Sequence, residues 1–374
     1  MVNNSTPRKS AATAIKDNIF TASPKMKKGA WLWWFWLFFI HDENTKISGK
    51  CRQIMILWSV KNDKCISVNN KRICVDKQIV PLRDSWKLNG AAAAWYFDGE
   101  KMHENFILEE SSMSLDPNAR SLEAPGKTPS KFFEAGESRW ITNMRAGKNS
   151  FELVAEQIDS NVAIGPVHNN TKMLGRLIEI DGTRIERLQL TGTHSFEGEA
   201  KKIHGTAYFQ KIYLAAPPPQ WYWGLYHFEG GSMATYMKTY ADLAMLKGNG
   251  IEPKLSKGLI PLTSDVLIYH APTGEVFGGH ELHVTPKKEE GELYSHLIEG
   301  GGERFKFSAT ARAYSHACWT FEKNIGILPI KSTFKYNEYP AVMETLEITP
   351  LDGREKIILK NGWGNMENAW GFII

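Results

Sequence analysis

Residues 188–238 constrain the fold more than any other part of this 374-residue chain. They begin with an alternating segment carrying Leu188, Leu190, His194 and Phe196, then a polar turn at Glu197-Gly198-Glu199. A return segment follows through Gly205-Thr206-Ala207-Tyr208 to Gln210 and Lys211. Period-two alternation on both sides of a turn signals a β-hairpin. Next come Pro217-Pro218-Pro219. Consecutive prolines hold an extended backbone and offer no ladder donor, so a sheet has to stop there. Beyond them lie Trp221-Tyr222-Trp223-Gly224-Leu225-Tyr226-His227, a turn at Gly230-Gly231 and a return segment through Tyr236. Two hairpins about a stiff joint predict two β units meeting at a seam.

The remainder follows the same pattern. Trp31 to Ile40 is an unbroken apolar run. It is too short for a membrane-spanning helix, which needs about 20 residues. It reads as a strand buried on both faces, with an interfacial membrane anchor as the alternative. One face carries Trp31, Trp33, Phe35, Leu37 and Phe39; the other carries Leu32, Trp34, Trp36, Phe38 and Ile40. Asp98-Gly99 predicts a tight hairpin after Trp95-Tyr96-Phe97. Residues 111–150, punctuated by Pro, Gly and Ser, are expected to form a long loop, either a lid over a barrel mouth or an insertion. Asp181-Gly182 predicts another hairpin turn. Short strands are expected at 266–270, 281–284, 293–298, 304–309, 317–321, 341–348 and 356–360. Helical periodicity is scarce, and residues 1–28 read as a flexible polar tail. The expected class is all-β, in two barrel-sized antiparallel units spanning 29–216 and 220–374.

Composition narrows the function. Hydrophobic residues make up 42% and charged residues 23%, which fits a folded globule. A net charge of +4, partly in the tail, is too small and too terminal for a nucleic-acid partner. Thirteen tryptophans call for large internal surfaces or an aromatic-lined cavity. Cys51, Cys65, Cys74 and Cys318 form no Cys-x-x-Cys pair. Neither a zinc site nor a disulfide framework is expected, and a reducing, cytoplasmic setting fits, with peripheral membrane contact left open. No secretory signal pattern is read at the N-terminus. His280 and His283 would point to opposite faces of a strand, which argues against a metal site. Phosphate-loop and nucleophile-elbow motifs are missing. No metal or organic cofactor is expected.

Two short patterns carry a family resemblance: Gly205-Thr206-Ala207-Tyr208, and Trp221-Tyr222-Trp223-Gly224 followed by Gly230-Gly231-Ser232-Met233. With the aromatic first strand around Trp33-Trp34, they resemble the tandem lipocalin-like family of carotenoid 1,2-hydratases (hydroxyneurosporene synthases), AttH-type proteins and fungal decalin-forming Diels–Alderases. The resemblance implies two lipocalin-like barrels and a hydrophobic pocket near their interface. It implies an enzyme that hydrates or cyclises a long isoprenoid or polyene without a cofactor. The alternatives are a non-catalytic lipid or isoprenoid binder and a cofactor-free pericyclase. Where the family pattern continues with a carboxylate this chain has Gln210, which cannot supply the strong acid that alkene hydration needs.

The acid candidates are Asp98, whose competing role is that of a turn residue, and His194, whose competing role is that of a satisfied core histidine. The expected pocket is Trp34, Tyr96, Tyr208, Gln210, Trp221, Trp223, His227 and Tyr236. Its aromatic faces would stabilise cations, or else simply form inter-barrel core.

Overall fold

The computed structural model describes residues 16–23, 25–157, 165–173, 178–216, 218–242, 259–324, 331–371 and 373. Up to the prolines the strands are β1 (Trp31–Ile40), β2 (Arg52–Lys61), β3 (Cys65–Val68), β4 (Lys71–Cys74), β5 (Ile79–Pro81), β6 (Trp86–Phe97) and β7 (Met102–Asp116). They continue with β8 (Ser121–Ala124), β9 (Ser130–Glu134), β10 (Arg139–Ala146), β11 (Asn149–Glu156), β12 (Pro166–Met173), β13 (Ile178–Phe196) and β14 (Glu199–Ala215). After them come β15 (Gln220–His227), β16 (Met233–Asp242), β17 (Leu259–His270), β18 (Glu275–Gly279), β19 (Glu281–Lys288), β20 (Tyr294–Gly302), β21 (Phe305–Ala313), β22 (Ala317–Asn324), β23 (Lys331–Pro350) and β24 (Ile357–Gly371).

The fold is all-β, with two antiparallel sheets of the tandem lipocalin-like kind. The first runs β11-β10-β9-β8-β7-β6-β2-β1-β14-β13, and pairing of β11 with β13 closes it into a barrel. The second runs β18-β17-β16-β15-β24-β23-β21-β20-β19. Its two edges are joined through His280, where Gly279 lies so close to Gly301 that a Cβ would stand 2.1 Å from the Gly301 carbonyl oxygen. The β3–β4 hairpin leaves the first barrel and pairs with β22 of the second sheet.

The aromatic run is β1, and its two faces divide as alternation requires. Leu32, Trp34, Trp36, Phe38 and Ile40 fill the first barrel. Phe35, Leu37 and Phe39 enter a separate core with Trp223, Leu225, Trp319 and Trp363 of the second sheet. Strand β1 is therefore internal, flanked by β2 and β14. Among the described residues no helix is long and apolar enough to cross a membrane.

Three expectations are corrected. Residues 111–150 form the end of β7 and the staves β8, β9 and β10, not a long loop. Their prolines and glycines mark the turns between short strands. Asp181-Gly182 does not turn: β13 runs straight through it, paired with β14 from Glu179 to Ile185. Cys65 and Cys74 stand directly opposite each other in the β3–β4 hairpin and are joined as a disulfide. Ladder register brought the two thiols together without any Cys-x-x-Cys spacing. Cysteine usage therefore no longer argues for a reducing compartment.

Candidate functional site in the seam between the barrels

The outer face of β14, β1, β2 and β6 meets the outer face of β15, β24 and β23. Tyr208, Leu37, Met55 and Trp95 lie in one row on the first barrel. On the second sheet Trp223, Glu367 and Glu338 form another row, with Trp221, Ala369 and Tyr336 beside it. Tyr208 packs on Trp223 with ring centroids 5.5 Å apart. Cross-barrel hydrogen bonds fix the registry. The Trp363 indole N–H donates to Thr206 Oγ1 at 2.8 Å, and Gln53 Nε2 donates to the Gly364 carbonyl at 2.8 Å.

Within this apolar seam two carboxyl groups face each other, because Glu338 and Glu367 are direct partners in the β23–β24 ladder. Both are buried. Glu338 accepts from the Trp95 indole N–H, and its second oxygen, Oε1, has no partner. The Trp319 indole N–H faces Glu338 without reaching hydrogen-bond geometry. Glu367 accepts from Trp221 Nε1 at 2.9 Å and from the Tyr336 hydroxyl at 2.6 Å. Tyr336 also neighbours Glu338, so one phenol bridges the pair.

Burial drives both carboxyls toward the protonated form. The Glu367 pKa is pushed up to about 7, against the pull of Tyr336 and Trp221. Glu338 is raised well above the usual carboxylate range by burial and by the neighbouring Glu367 charge. Two like charges this close in a dry site cannot both ionise, so the pair titrates as a unit and holds a proton near neutrality. Among the described residues no group meets Glu338 Oε1 in hydrogen-bond geometry, although Trp319 and Tyr336 lie beside the carboxyl.

The polar strip continues past the pair. Asn365, on the same face of β24, is fully buried, and neither amide atom has a hydrogen-bond partner among the described residues. On the first barrel, the ladder irregularity between Ile185 and Leu188 takes Glu186 and Arg187 out of register. Glu186 is buried, its pKa raised by burial, with Arg184 3.6 Å away. Beneath the β3–β4 hairpin, and bordered by Trp319, lies an apolar cavity of about 40 Å³.

The sequence candidates divide among four places. Tyr208, Gln210, Trp221 and Trp223 come together at the seam, where the Tyr208 hydroxyl donates to Gln210 Oε1 at 3.0 Å. His227 sits at its edge, bonded to Thr206 Oγ1 and the Glu186 carbonyl at 2.8 Å each; burial depresses its pKa well below the usual value. Tyr96, Asp98 and His194 gather instead at one mouth of the first barrel. Asp98 binds the backbone N–H groups of Glu100 and Lys101 and pairs with His103 at 2.8 Å. Burial pushes its pKa up, but those bonds outweigh it and hold the carboxyl below the usual range. His194 stacks on Phe151 at 4.1 Å and bonds Asn149; burial lowers its pKa to about 4. Trp34 is inside the first barrel, its indole donating to the Ile19 carbonyl at 2.7 Å. Tyr236 is inside the second, bonded to His296 Nδ1 at 2.8 Å.

Sequence reading missed Glu338, Glu367, Tyr336 and Trp319. The available signal was a glutamate at an apolar-facing position in each of two strands, Tyr336-Asn337-Glu338-Tyr339 and Met366-Glu367-Asn368-Ala369. The strands expected at 341–348 and 356–360 stopped short of both.

Fold and site together define an all-β protein of two packed antiparallel barrels with proton-holding carboxyls in the seam. No protein-family model and no curated protein matches the chain. Solved structures of similar layout include an AttH-like protein from Nitrosomonas europaea, at 11% identity over 91% of this chain and 92% of that one, TM-score 0.47. CghA with Sch210972 shows 11% identity over 91% and 88%, TM-score 0.49. Kievitone hydratase from Nectria haematococca shows 11% identity over 92% and 89%, TM-score 0.44. These neighbours are of the kind the sequence resembles, and the likeness concerns the fold; residue roles come from the seam itself.

Proposed function

We propose that this protein is a hydro-lyase or cyclase that acts on an apolar, unsaturated small molecule of isoprenoid or polyene type by proton transfer at the seam. The Glu338–Glu367 pair carries this reading. Glu338 serves as general acid: its proton goes to an alkene carbon and leaves a tertiary cation. Trp95, Trp221, Trp319 and Tyr336 meet the pair through their N–H and O–H edges, and a cation held against the π systems of these rings would be stabilised by them. Water then adds to the cation, and its released proton passes to ionised Glu367. Tyr336, in contact with both carboxyls, returns the proton to Glu338. The sum is addition of water across one double bond. If a second double bond of the same substrate attacks the cation instead, a carbon–carbon bond forms, and the new cation loses a C–H proton to ionised Glu367 to give a cyclic isomer.

A carrier without chemistry is the second reading, favoured by the apolar lining of the cavity under the hairpin. Incubation with C20–C40 isoprenoid alkenes in ¹⁸O-labelled water separates the two. A hydratase yields products carrying one ¹⁸O, a cyclase yields isomers of unchanged mass, and E338Q yields neither. Bound but unaltered isoprenoid at every pH from 5 to 8 would leave only the carrier.

A further inference from the structure

Strand β6 holds an unbroken run of small residues, Gly90-Ala91-Ala92-Ala93-Ala94, in the middle of a sheet. Alanine is depleted in strands because it offers neighbours little to pack against, so another requirement keeps it here. Gly90 has a backbone reason: a Cβ there would stand 2.0 Å from the Ser59 carbonyl oxygen. Ala92 and Ala94 face the crowded interior of the first barrel. Ala91 and Ala93 face the other way and have no such constraint.

They form the floor of the cavity of about 40 Å³ under the β3–β4 hairpin. Trp31, Leu57, Ile73, Trp319 and Phe321 are among the apolar residues of the remaining wall, and Ser59, Lys61 and Asn89 are its polar ones. Folded interiors are packed with few voids larger than a water molecule. This one has room for a few waters, but its largely apolar wall gives them little to bond to. A valine or isoleucine at position 93, the usual strand residues, would fill it. Trp319 is both a wall of the cavity and the indole that faces Glu338. Space for hydrocarbon is thus kept one side chain away from the acid.

We propose that this cavity receives the methyl-branched hydrocarbon end of the substrate, and that Ala91 and Ala93 set which chain ends bring a double bond to Glu338. The reaction part of this proposal rests on the acid role of Glu338; the binding part does not. Geranylgeraniol, dispersed in detergent micelles, is the probe, and quenching of tryptophan emission reports its binding to the intact chain. Each excluded methylene group changes affinity roughly fourfold, so A93V should weaken binding several-fold and A93F roughly tenfold or more. E338Q should bind as the parent does. A93V is the milder change and can be read if A93F fails to fold, with circular dichroism as the check. Equal affinity in the parent and a folded A93F, or no binding by the parent, overturns the pocket. Binding lost in A93F but no turnover by any protein supports the pocket and overturns the acid. Turnover lost in E338Q with affinity unchanged in A93F does the reverse.

Discussion

Two carboxyls placed opposite each other in a dry ladder make stability depend on pH in an uncommon direction. An acid with a raised folded-state pKa keeps its proton where the unfolded chain has released its own. Below about pH 4.5 both states hold the proton and the pair costs nothing on this account. Between about pH 4.5 and 7 the folded chain keeps on Glu367 a proton that the unfolded chain has released, and above about 7 Glu367 ionises in the seam. Stability therefore falls over that window, by on the order of 3 kcal/mol for this group. Burial raises the Glu338 carboxyl as well, which adds to the loss in the same direction. E367Q should unfold in urea like the parent at pH 5 and be more stable than it at pH 8.5. A variant no more stable at pH 8.5 would mean that the pair is not held protonated. Turnover needs one proton held between the two carboxyls, so it should pass through a maximum, falling at low pH where both are protonated and at high pH where both are ionised. At the barrel mouth, D98N should relax the turn around Glu100 and Lys101, lowering the melting temperature by a few degrees for a loss of about 1 kcal/mol. It should leave turnover unchanged, and a loss of turnover comparable to that in E338Q would return the acid role to Asp98.

The elements show where sequence reading succeeded and where it stopped. Strand β1 was legible because a run apolar on both alternating faces has to be covered twice, and it is, by one barrel interior and by the seam. The hairpins at Glu197-Gly198 and Gly230-Gly231 were legible because turn residues lie between strands of clear alternation. Asp181-Gly182 misled because a turn dipeptide expresses only a local preference; pairing with β14 overrides it, and Gly182 keeps an extended backbone. The carboxyl pair was hidden for a related reason. Its two glutamates lie 29 residues apart in sequence and meet only through ladder register. The β3–β4 hairpin is the most consequential element that sequence did not reveal. It roofs the apolar cavity and is tied to both barrels, through pairing with β22 and through Asp63, which bonds Lys61 and Lys323. Its disulfide closes a loop of sequence separation 9, which in the chain-entropy account contributes about 2–3 kcal/mol. In C65S/C74S, amide exchange should rise across residues 65–74 and in β22, while the strands of the first barrel stay protected. Unchanged exchange in the hairpin would show that β22 holds it without the disulfide.

At the scale of the whole molecule, the seam ties the stability of one barrel to that of the other. Trp223, Leu225, Phe334 and Trp363 are buried with partners from both sheets. A contiguous apolar face of that kind, exposed on a separated second barrel, is what monomeric soluble proteins rarely present to water. Polar groups reinforce the coupling: Glu338 loses its Trp95 donor, and Trp363 its Thr206 acceptor, if the barrels part. Opening the seam would also hydrate the carboxyl pair, return it to the ordinary carboxylate range and remove the acid. On the proposed mechanism, folding and catalysis depend on the same contact. Unfolding of the full chain in urea should be a single transition, with tryptophan emission and far-ultraviolet circular dichroism coinciding. Residues 220–374 expressed alone should bind a hydrophobic dye and aggregate. Two resolved transitions, or a soluble and dye-silent 220–374, would mean that each barrel carries its own stability. The apolar seam would then be a surface kept for a ligand more than for the fold, and the affinity of the parent for isoprenoid should rise as the weaker barrel loosens.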